Sequence, residues 1–342
     1  RAFEDGLGAA CGRRHAIAVS SGTAALHLML LAAYGPQGPA AGTRLLAPAF
    51  TFPASVNVAR FLPGSPVAVH LADVDPQTFC LPAATLQAWL AGGPALTMVV
   101  HQFGYPSPLP PLSAEAERLV ISDAACAIGA AAALRGRAAC LSFHPRKLLT
   151  TGEGGAILTD DDALAAFART YRLHGMTADA MTRYRPGGST GYDLTEPGIK
   201  ANLPDVLATL ARSQLERFET MQVRRRQILR HYRSVLAPAG LRFVPEAESL
   251  GSADHLAVVV LPEGVSRDAV VSGLKAAGIH PSVHFRPLHH FSWFIEHVDV
   301  GPSGLEVCDA MANRALSLPL HTGLSEADVD RVCVELLQLI AA

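Results

Sequence analysis

One lysine stands where a covalent catalyst could be built. Residues 142–155 read Ser-Phe-His-Pro-Arg-Lys-Leu-Leu-Thr-Thr-Gly-Glu-Gly-Gly, which places Lys147 between a predicted strand, Ala138–Phe143, and a glycine turn, Gly152–Gly155. A buried ammonium costs several kcal/mol of desolvation unless its pKa falls or its amine is used covalently. Only the free amine attacks an aldehyde, so a depressed pKa would suit Lys147 to Schiff-base chemistry. The alternative is a lysine at the mouth of a loop with its charge in water.

A second segment could hold an anion. Ser20-Ser-Gly-Thr-Ala-Ala-Leu26 directly follows the predicted strand His15–Val19. Glycine lets backbone amides close on an anion, and the helix that begins there directs its positive end at the same point. An ordinary helix cap by Ser21 or Thr23 is the alternative. The segment is neither a Walker A loop, which needs Gly-Lys-Ser/Thr, nor a GxGxxG dinucleotide fingerprint.

A carboxylate follows a central strand. Asp123 comes at the end of the apolar run Leu119–Ser122. Ligands of open α/β sheets bind at the carboxyl ends of the strands, and an aspartate there could keep the nitrogen of a pyridine ring protonated. A helix-capping aspartate is the alternative.

Two further segments complete the set. Pro48-Ala-Phe-Thr-Phe52 also follows a strand, so its aromatic side chains could stack on a flat ring, with core packing as the alternative. Gly198-Ile-Lys-Ala-Asn-Leu-Pro-Asp205 is a loop that enters a helix and offers the Asn202 amide to an anion. It closes the stretch Arg185–Lys200, a loop long enough to suggest a functional role.

The elements that must position these residues are mainly strands and helices in alternation. Continuous apolar strands separated by helices predict a large, mainly parallel seven-stranded sheet with helices on both faces, an α/β fold. The predicted strands are His15–Val19, Arg44–Ala47, Val67–Leu71, Thr97–His101, Leu119–Ser122, Ala138–Phe143 and Ala156–Thr159.

The C-terminal part is predicted to form a small α+β domain. A helical stretch from Pro204 to about Val235 closes the large domain, residues 1–235, and residues 236–342 form the small one. Its predicted elements are a strand at Leu256–Leu261, a helix at Arg267–Ala277, a β region at His280–Phe285, and a last helix capped by Ser325 and Asp328 that runs to about Ile340.

Composition excludes several classes of partner. The chain has 342 residues, 49% hydrophobic and 17% charged, with a formal charge of −2. Nucleic acid would need a basic face, and a membrane span would need about 20 consecutive apolar residues, so neither partner is expected. Six cysteines without a CxxC pair suggest no zinc site or disulfide framework, and the cytoplasm is the expected compartment. The chain opens at Arg1 within a predicted helix, so we expect a preceding segment.

A metal centre is not expected either. His284, His289 and His290 are close in sequence, but side chains of neighbouring residues on an extended chain point apart.

Taken together, these segments resemble the DegT/DnrJ/EryC1/StrS group of sugar aminotransferases, which are fold-type I enzymes that use pyridoxal 5′-phosphate (PLP). The resemblance runs nearly end to end, and the Schiff-base segment is its most specific part. The matching motifs are Val19-Ser-Ser-Gly-Thr-Ala-Ala-Leu26, Pro48-Ala-Phe-Thr-Phe52, Asp73-Val-Asp-Pro-Gln-Thr78, His101-Gln-Phe-Gly104, Asp123-Ala-Ala125, Ser142-Phe-His-Pro-Arg-Lys147, Arg172-Leu-His-Gly175, the Asn202 loop and Gly278-Ile to His284-Phe-Arg-Pro-Leu-His289.

The resemblance implies a role for each matching residue. Lys147 would carry the cofactor as a Schiff base and move protons, Asp123 would pair with the pyridine nitrogen, and Phe52 would stack on the ring. The phosphate would be held by residues of two loops and of the partner subunit, namely Gly22, Thr23, Ser142 and Asn202. The stretch with His284 and Arg286 would line the substrate pocket.

One position departs from the family pattern. The family usually has Gln or His three residues after the aspartate, in contact with the 3-oxygen of the ring, and this chain has Cys126. A thiol is a much weaker hydrogen-bond partner, so activity or substrate preference is expected to differ.

The resemblance implies transfer of an amino group from L-glutamate to the keto carbon of a nucleotide-activated sugar, in a homodimer with shared active sites. Relatives that dehydrate sugars have His at the lysine position, and Lys147 therefore favours transamination. A transaminase of a cyclitol or another non-nucleotide ketone is one alternative. A non-catalytic PLP-binding sensor is another, and the presence of both Lys147 and Asp123 disfavours it.

Overall fold

The computed structural model describes residues 1–177, 191–245, 251–301 and 304–341. Its α-helices, in chain order, are α1 Ala2–Cys11, α2 Gly22–Tyr34, α3 Ala54–Asn57, α4 Ala83–Ala91, α5 Ala114–Glu117, α6 Asp162–Tyr171, α7 Asp205–Glu216, α8 Phe218–Leu236, α9 Arg267–Ala276, α10 Ser292–Ile295, α11 Glu306–Ala312 and α12 Glu326–Ala341. Its strands are β1 His15–Val19, β2 Arg44–Pro48, β3 Ala68–Ala72, β4 Leu96–Val100, β5 Val120–Asp123, β6 Ala138–Ser142, β7 Gly155–Thr159, β8 Arg242–Val244, β9 Ala257–Val260, β10 Asp299–Val300 and β11 Ala315–Leu318. Among the helices of these residues, none has the length and apolar character to cross a bilayer.

The larger sheet confirms the predicted α/β class. Its strand order is β1-β7-β6-β5-β4-β2-β3-β10, and every pairing is parallel except those of β7 with β1 and β6. Successive side chains of a strand point to opposite faces. Accordingly, Ile17 and Val19 join one buried cluster with α2 and α6, while Ala16 and Ala18 join another with α1 and α7. Helices therefore cover both faces of the sheet.

The sheet has one strand more than the seven predicted. All seven predicted runs are strands, and the eighth is β10, which pairs in parallel with β3 through Asp299–His70 and Val300–Leu71. Both β10 residues are exposed, so no hydrophobic pattern marks them in the sequence. The C-terminal part of the chain thus adds a strand to the edge of the large sheet.

A second, antiparallel sheet has the order β11-β9-β8. Its core contains apolar side chains from α8, α9 and α12. Strand β9 and helix α9 were expected from the sequence, whereas the β region predicted at His280–Phe285 is wrong, because that segment makes only the isolated bridge Ser282–Ser317. Pro281 lies within the segment and Pro287 follows it, and neither has an N–H to donate to a strand ladder.

The helices predicted after residue 204 are found close to their expected positions. The stretch predicted from Pro204 to Val235 is two helices, α7 and α8, with a break at Arg217. The cap predicted for the last helix is confirmed, since Asp328 Oδ2 accepts from Ser325 N at 2.9 Å and Ser325 Oγ accepts from Asp328 N at 3.1 Å. Residues 185–190 of the predicted functional loop lie outside the described residues.

A buried ion cluster ties α1 and α6 to the strand that leads to the anion-binding segment. Glu4 accepts from Ala18 N at 2.8 Å, from Arg172 at 2.6 Å and from Arg169 at 3.3 Å. Burial alone would raise the pKa of Glu4, but Arg172, the amide of Ala18 and Arg169 outweigh it, so this pKa is lowered.

We expect Glu4→Gln to lower the free energy of unfolding by about 1–3 kcal/mol, because it removes the charge of a buried carboxylate that two partly exposed guanidinium groups, those of Arg169 and Arg172, contact. The folded-state pKa lies below the ordinary 4.5, so the stabilisation is present at neutral pH and is lost as the pH falls below that value. Denaturant unfolding at pH 7 and near pH 4 measures both effects. Glu219→Gln, an exposed carboxylate, is the control, and an equal loss in both variants would contradict this account.

Candidate active site

The predicted site residues meet at one edge of the large sheet. Strands β1, β5 and β6 run in the same direction, so their carboxyl ends share that edge. Asp123 ends β5 and Ser142 ends β6, and Gly155 lies in register between Val19 and Ser142. The edge therefore brings together the carboxylate, the lysine loop and the glycine segment.

The glycine segment and the lysine loop are packed too closely to admit side chains between them. A Cβ atom on Gly22 would lie 2.9 Å from Ser142 Cβ, and one on Gly155 would lie 2.7 Å from the nitrogen of Gly22. The Ser21 side chain caps α2 by accepting from Ala24 N at 3.0 Å, so the cap bonds the amide of Ala24 and not those of Gly22 and Thr23. Thr23 is exposed at the first turn. These amides form a cradle at the positive end of a 13-residue helix.

Asp123 is held by a chain of hydroxyl groups. Its side chain is 7% exposed, and its Oδ2 accepts from Ser55 Oγ at 2.6 Å. Thr51 Oγ1 lies 2.9 Å from Ser55 Oγ. The other carboxylate oxygen accepts from Ala125 N at 3.1 Å and from the Cys140 thiol at 3.4 Å. These bonds fix the orientation of a nearly buried carboxylate.

Lys147 points into the same cleft. Its Nζ lies 3.0 Å from Cys126 Sγ, and both residues are half-buried. Burial alone would lower the pKa of Lys147. This effect is outweighed by the charge and hydrogen bond of the Cys126 sulfur and by the charge of the Asp123 carboxylate. The pKa of Lys147 is therefore raised, and the depressed pKa suggested by its apolar sequence context is not found.

Two histidines near Lys147 are neutral. Burial, reinforced by the positive charges of Lys147 and Arg225, holds the pKa of His255 well below its ordinary value. Burial, Arg146 and Lys147 lower the pKa of His284 to about 4. His284 Nδ1 lies 2.9 Å from Ser317 Oγ, and this hydrogen bond fixes the orientation of the imidazole ring.

Phe52 offers an exposed aromatic face. It is 58% exposed, an unusual state for a phenylalanine, and its one ring neighbour is Phe285, with centroids 6.0 Å apart among the described residues. Gln102 donates to the Phe50 carbonyl and so supports the loop that carries Phe52. Core packing, the alternative for this segment, describes Phe50, which is fully buried, but not Phe52.

Two predicted site residues contact other groups. Arg286 is exposed, donates to the His290 carbonyl and lies over the Phe291 ring at 5.0 Å. The backbone of Asn202 forms a β-bridge with Val19 of its own chain. The side-chain nitrogen Nδ2 of Asn202 donates to the Leu203 carbonyl at 3.4 Å. Asn202 thus lies beside the strand that leads into the glycine segment, whereas Arg286 is held by its own segment.

The reason given above against a histidine cluster is wrong. Leu288–His290 is a helical turn and not an extended chain, and the Nε2 atoms of His289 and His290 each lie 2.8 Å from the same oxygen of Asp309. His284 is not part of this group. The hydrogen bond between His289 and Asp309 and the contact of His290 with the same oxygen account for this group, and the absence of a metal stays a prediction.

Two side chains at this edge, Ser55 and His255, were not predicted from the sequence. Ser55 lies four residues after Thr51, next to a segment already selected for Phe52, so a polar i, i+4 pair was the available signal. His255 lies two residues before strand β9 of the second sheet, and no local pattern connects it with Lys147.

The arrangement combines a nucleophilic amine, a fixed carboxylate, an exposed aromatic face and an amide cradle for an anion. Together they suit a flat, cationic ring that carries a phosphate and reacts with an amine.

Comparison with known proteins agrees with this chemistry. The chain is similar to a DegT/DnrJ/EryC1/StrS aminotransferase from Brucella abortus (29% identity, TM-score 0.80, covering 98% of this chain and 88% of that one). It is also similar to DesI, solved in the presence of its TDP-sugar product (27% identity, TM-score 0.80, covering 99% and 84%). Spr1654 from Streptococcus pneumoniae in its PMP form has the same fold (24% identity, TM-score 0.85, covering 99% and 91%).

A family model matches nearly the whole chain and spans every residue of the cleft described above. The match covers residues 1–337, and its members are aminotransferases. With this match and the cleft in agreement, the chain belongs to the DegT/DnrJ/EryC1/StrS aminotransferase family.

Proposed function

We propose that this aminotransferase uses PLP to move the amino group of L-glutamate to a keto carbon of a nucleotide-activated sugar. The observation that carries the proposal is the setting of Lys147. Its amine lies in a cleft at the carboxyl edge of the sheet, beside the nearly buried Asp123 carboxylate, with the amide cradle of Gly22 across the same edge.

The residues of the cleft fit PLP. The cradle at Gly22 excludes side chains and suits a phosphate, and the exposed ring of Phe52 suits stacking on a pyridine. When bound, PLP supplies a ring that withdraws electrons, on which an amino group is taken from one substrate and given to another. Spr1654 of the same fold was solved in PLP and PMP forms.

Each residue of the chain then has a defined task. Lys147 provides the amine for covalent attachment and moves protons at Nζ. Asp123 would keep the ring nitrogen protonated, and Ser55 and Thr51 hold its carboxylate in place. The amides of Gly22 and Thr23 and the Ser142 hydroxyl bind the phosphate. Neutral His284, together with Arg286, lines the side from which the substrate enters.

The nucleotide sugar is the finer part of the proposal. DesI, solved with a TDP-sugar product, supports it at 27% identity. The discriminating experiment offers the enzyme L-glutamate with a panel of nucleotide keto-sugars, free keto-sugars and keto-cyclitols, and reads the products by mass spectrometry. Amination of the nucleotide sugars alone is expected, and amination of only the cyclitols would select the alternative.

A spectroscopic test separates an enzyme from a sensor. The cofactor absorbance of the holoenzyme should change when L-glutamate is added and return when a keto substrate follows. If the cofactor absorbance of the holoprotein does not change on addition of glutamate or other amino donors, the non-catalytic alternative is favoured.

We further propose a homodimer in which Asn202 completes the phosphate site of the partner subunit. Support comes from the family resemblance and from α7, which follows Asn202 and leaves Val206 80% and Leu210 42% exposed, apolar surface suited to a C2 interface. In one protomer Asn202 lies beside its own Val19, so the subunit that it serves needs a direct test.

Mixing subunits provides that test. Lys147→Ala and Asn202→Ala chains should each be poorly active. In the heterodimer of a shared-site enzyme, one site receives both lesions and the other neither, so activity should return towards about half the wild-type value. If subunits exchange, as native mass spectrometry would show, and no activity returns, Asn202 serves its own chain.

Cys126→Gln should leave the enzyme active or improve it. An amide donates a stronger hydrogen bond than a thiol to the ring oxygen, and losing the sulfur removes a cause of the raised pKa of Lys147. Cofactor uptake and turnover are measured, with Cys140→Ala as the control for loss of a neighbouring thiol. If Cys126→Gln binds PLP and loses amination, the thiol has a specific task in the reaction.

A further inference from the structure

The direct contact between Cys126 and Lys147 has no part in the proposed reaction. Their Sγ and Nζ atoms are 3.0 Å apart, closer than a non-bonded sulfur and nitrogen would normally come without a hydrogen bond. The pair is half-buried at the cleft, so a molecule as small as a peroxide has access to it. Peroxides oxidise cysteine in its thiolate form, and the Lys147 nitrogen lies within hydrogen-bond distance of this sulfur.

The second thiol of the site has the opposite setting. Cys140 is fully buried, and it donates to Asp123 at 3.4 Å. Burial and the negative charge of Asp123 raise the pKa of Cys140 well above the ordinary 9.0. Of these two thiols, Cys126 is the one placed to react.

We propose that peroxide couples Cys126 Sγ to Lys147 Nζ through a sulfenamide bond, which blocks the lysine until a thiol reduces the bond. The Cys126 thiolate attacks one peroxide oxygen, the O–O bond breaks, and a sulfenic acid and a hydroxide form. The hydroxide takes a proton from the Lys147 ammonium and becomes water. The freed amine then attacks the sulfur, and the sulfenic oxygen leaves with a proton as a second water. Sulfur is oxidised and the peroxide is reduced.

Loss of the thiolate prepares the second step. The sulfur of Cys126 is a leading cause of the raised pKa of Lys147, whereas burial acts in the opposite direction. Once the sulfur carries a neutral sulfenic acid, burial favours the free amine, and that amine is already within hydrogen-bond distance of the sulfur. Oxidation of one partner therefore activates the other.

The link would switch off the enzyme, because a lysine bonded to sulfur cannot attach a cofactor. This consequence rests on the proposed function, but the link itself rests only on the contact between Cys126 and Lys147. PLP bound to Lys147 should protect the pair, whereas the PMP form, with a free amine, should be sensitive.

The test treats purified protein, loaded with either PMP or PLP, with dilute hydrogen peroxide. A digest under non-reducing conditions is read by mass spectrometry. We expect the peptides of Cys126 and Lys147 to appear joined, lighter than their sum by two hydrogen atoms, and separated again by dithiothreitol. The PLP-loaded protein should give about tenfold less of the joined species, because its amine is occupied.

Two variants sharpen the result. Cys140→Ser should still form the link, and Cys126→Ser should not. A disulfide of Cys126 with Cys140, or sulfinic acid at Cys126 with Lys147 unmodified in PMP-loaded protein, would overturn the proposal. If the protein takes up neither PLP nor PMP, the proposed function fails, and the link is then scored in the unliganded protein, so that the two failures are distinct.

Discussion

Replacing Lys147 with alanine should lower amino transfer by about 10⁴-fold or more, because the change removes both the covalent attachment and the group that moves the proton. The amide cradle at Gly22 and the Asp123 carboxylate remain, so the variant should still bind PLP, without covalent attachment. Turnover and cofactor binding measured on the same preparation separate the two effects.

The chain offers a matched control for this substitution. It has three lysines, Lys147, Lys200 and Lys275, and the other two are exposed. Lys275→Ala should retain wild-type turnover and stability. Turnover of the Lys147→Ala enzyme within about tenfold of wild type would contradict the assignment of the covalent and proton-transfer roles to this residue.

The second large effect is expected at Asp123. Asp123→Asn should still bind PLP but lose about 10²-fold or more in turnover, because a neutral amide cannot keep the ring nitrogen protonated. The size of the side chain is nearly unchanged. The amide oxygen can still accept from Ala125 N, while the amide nitrogen faces Ser55 Oγ, a hydroxyl that can accept as well as donate. Single-turnover kinetics with bound PLP isolates the effect from cofactor loss.

Ser55→Ala provides a graded comparison. It removes the 2.6 Å hydrogen bond but leaves the charge of Asp123, so we expect a loss of about tenfold, in line with one hydrogen bond to a charged group. If Asp123→Asn reacts at a near-normal rate in a single turnover, the carboxylate does not act on the ring nitrogen. An equal loss in both variants would mean that orientation, and not charge, carries the effect.

The central sheet was predictable because its strands are buried on both faces. Strands β4 and β7 are buried throughout and have one threonine each, and the helices between most of the strands favour a mainly parallel sheet. Strand β10 and the segment 280–285 were not predictable in this way. The first has two exposed residues paired only by tertiary context, and the second contains Pro281 among residues that otherwise form strands readily.

Some residues of the site were predictable from the sequence in the same way, and others were not. Lys147, Asp123, Gly22 and Phe52 follow strand ends, so topology alone brings them to one edge. The contacts that tune them, from Ser55 and Cys126, depend on side-chain distances of a few ångströms, which spacing does not encode. The raised pKa of Lys147 is one consequence, because an apolar local sequence says nothing of the thiol that folding sets beside it.

Borohydride reduction of the PLP-loaded protein is a direct test of whether Lys147 carries the cofactor. Reduction fixes the cofactor on the lysine that carries it, and peptide mapping then identifies that lysine among only three in the chain. The account predicts one pyridoxyl group per chain, on the peptide that contains Lys147. A pyridoxyl group on Lys200 or Lys275 instead, with Lys147 unmodified, would contradict it.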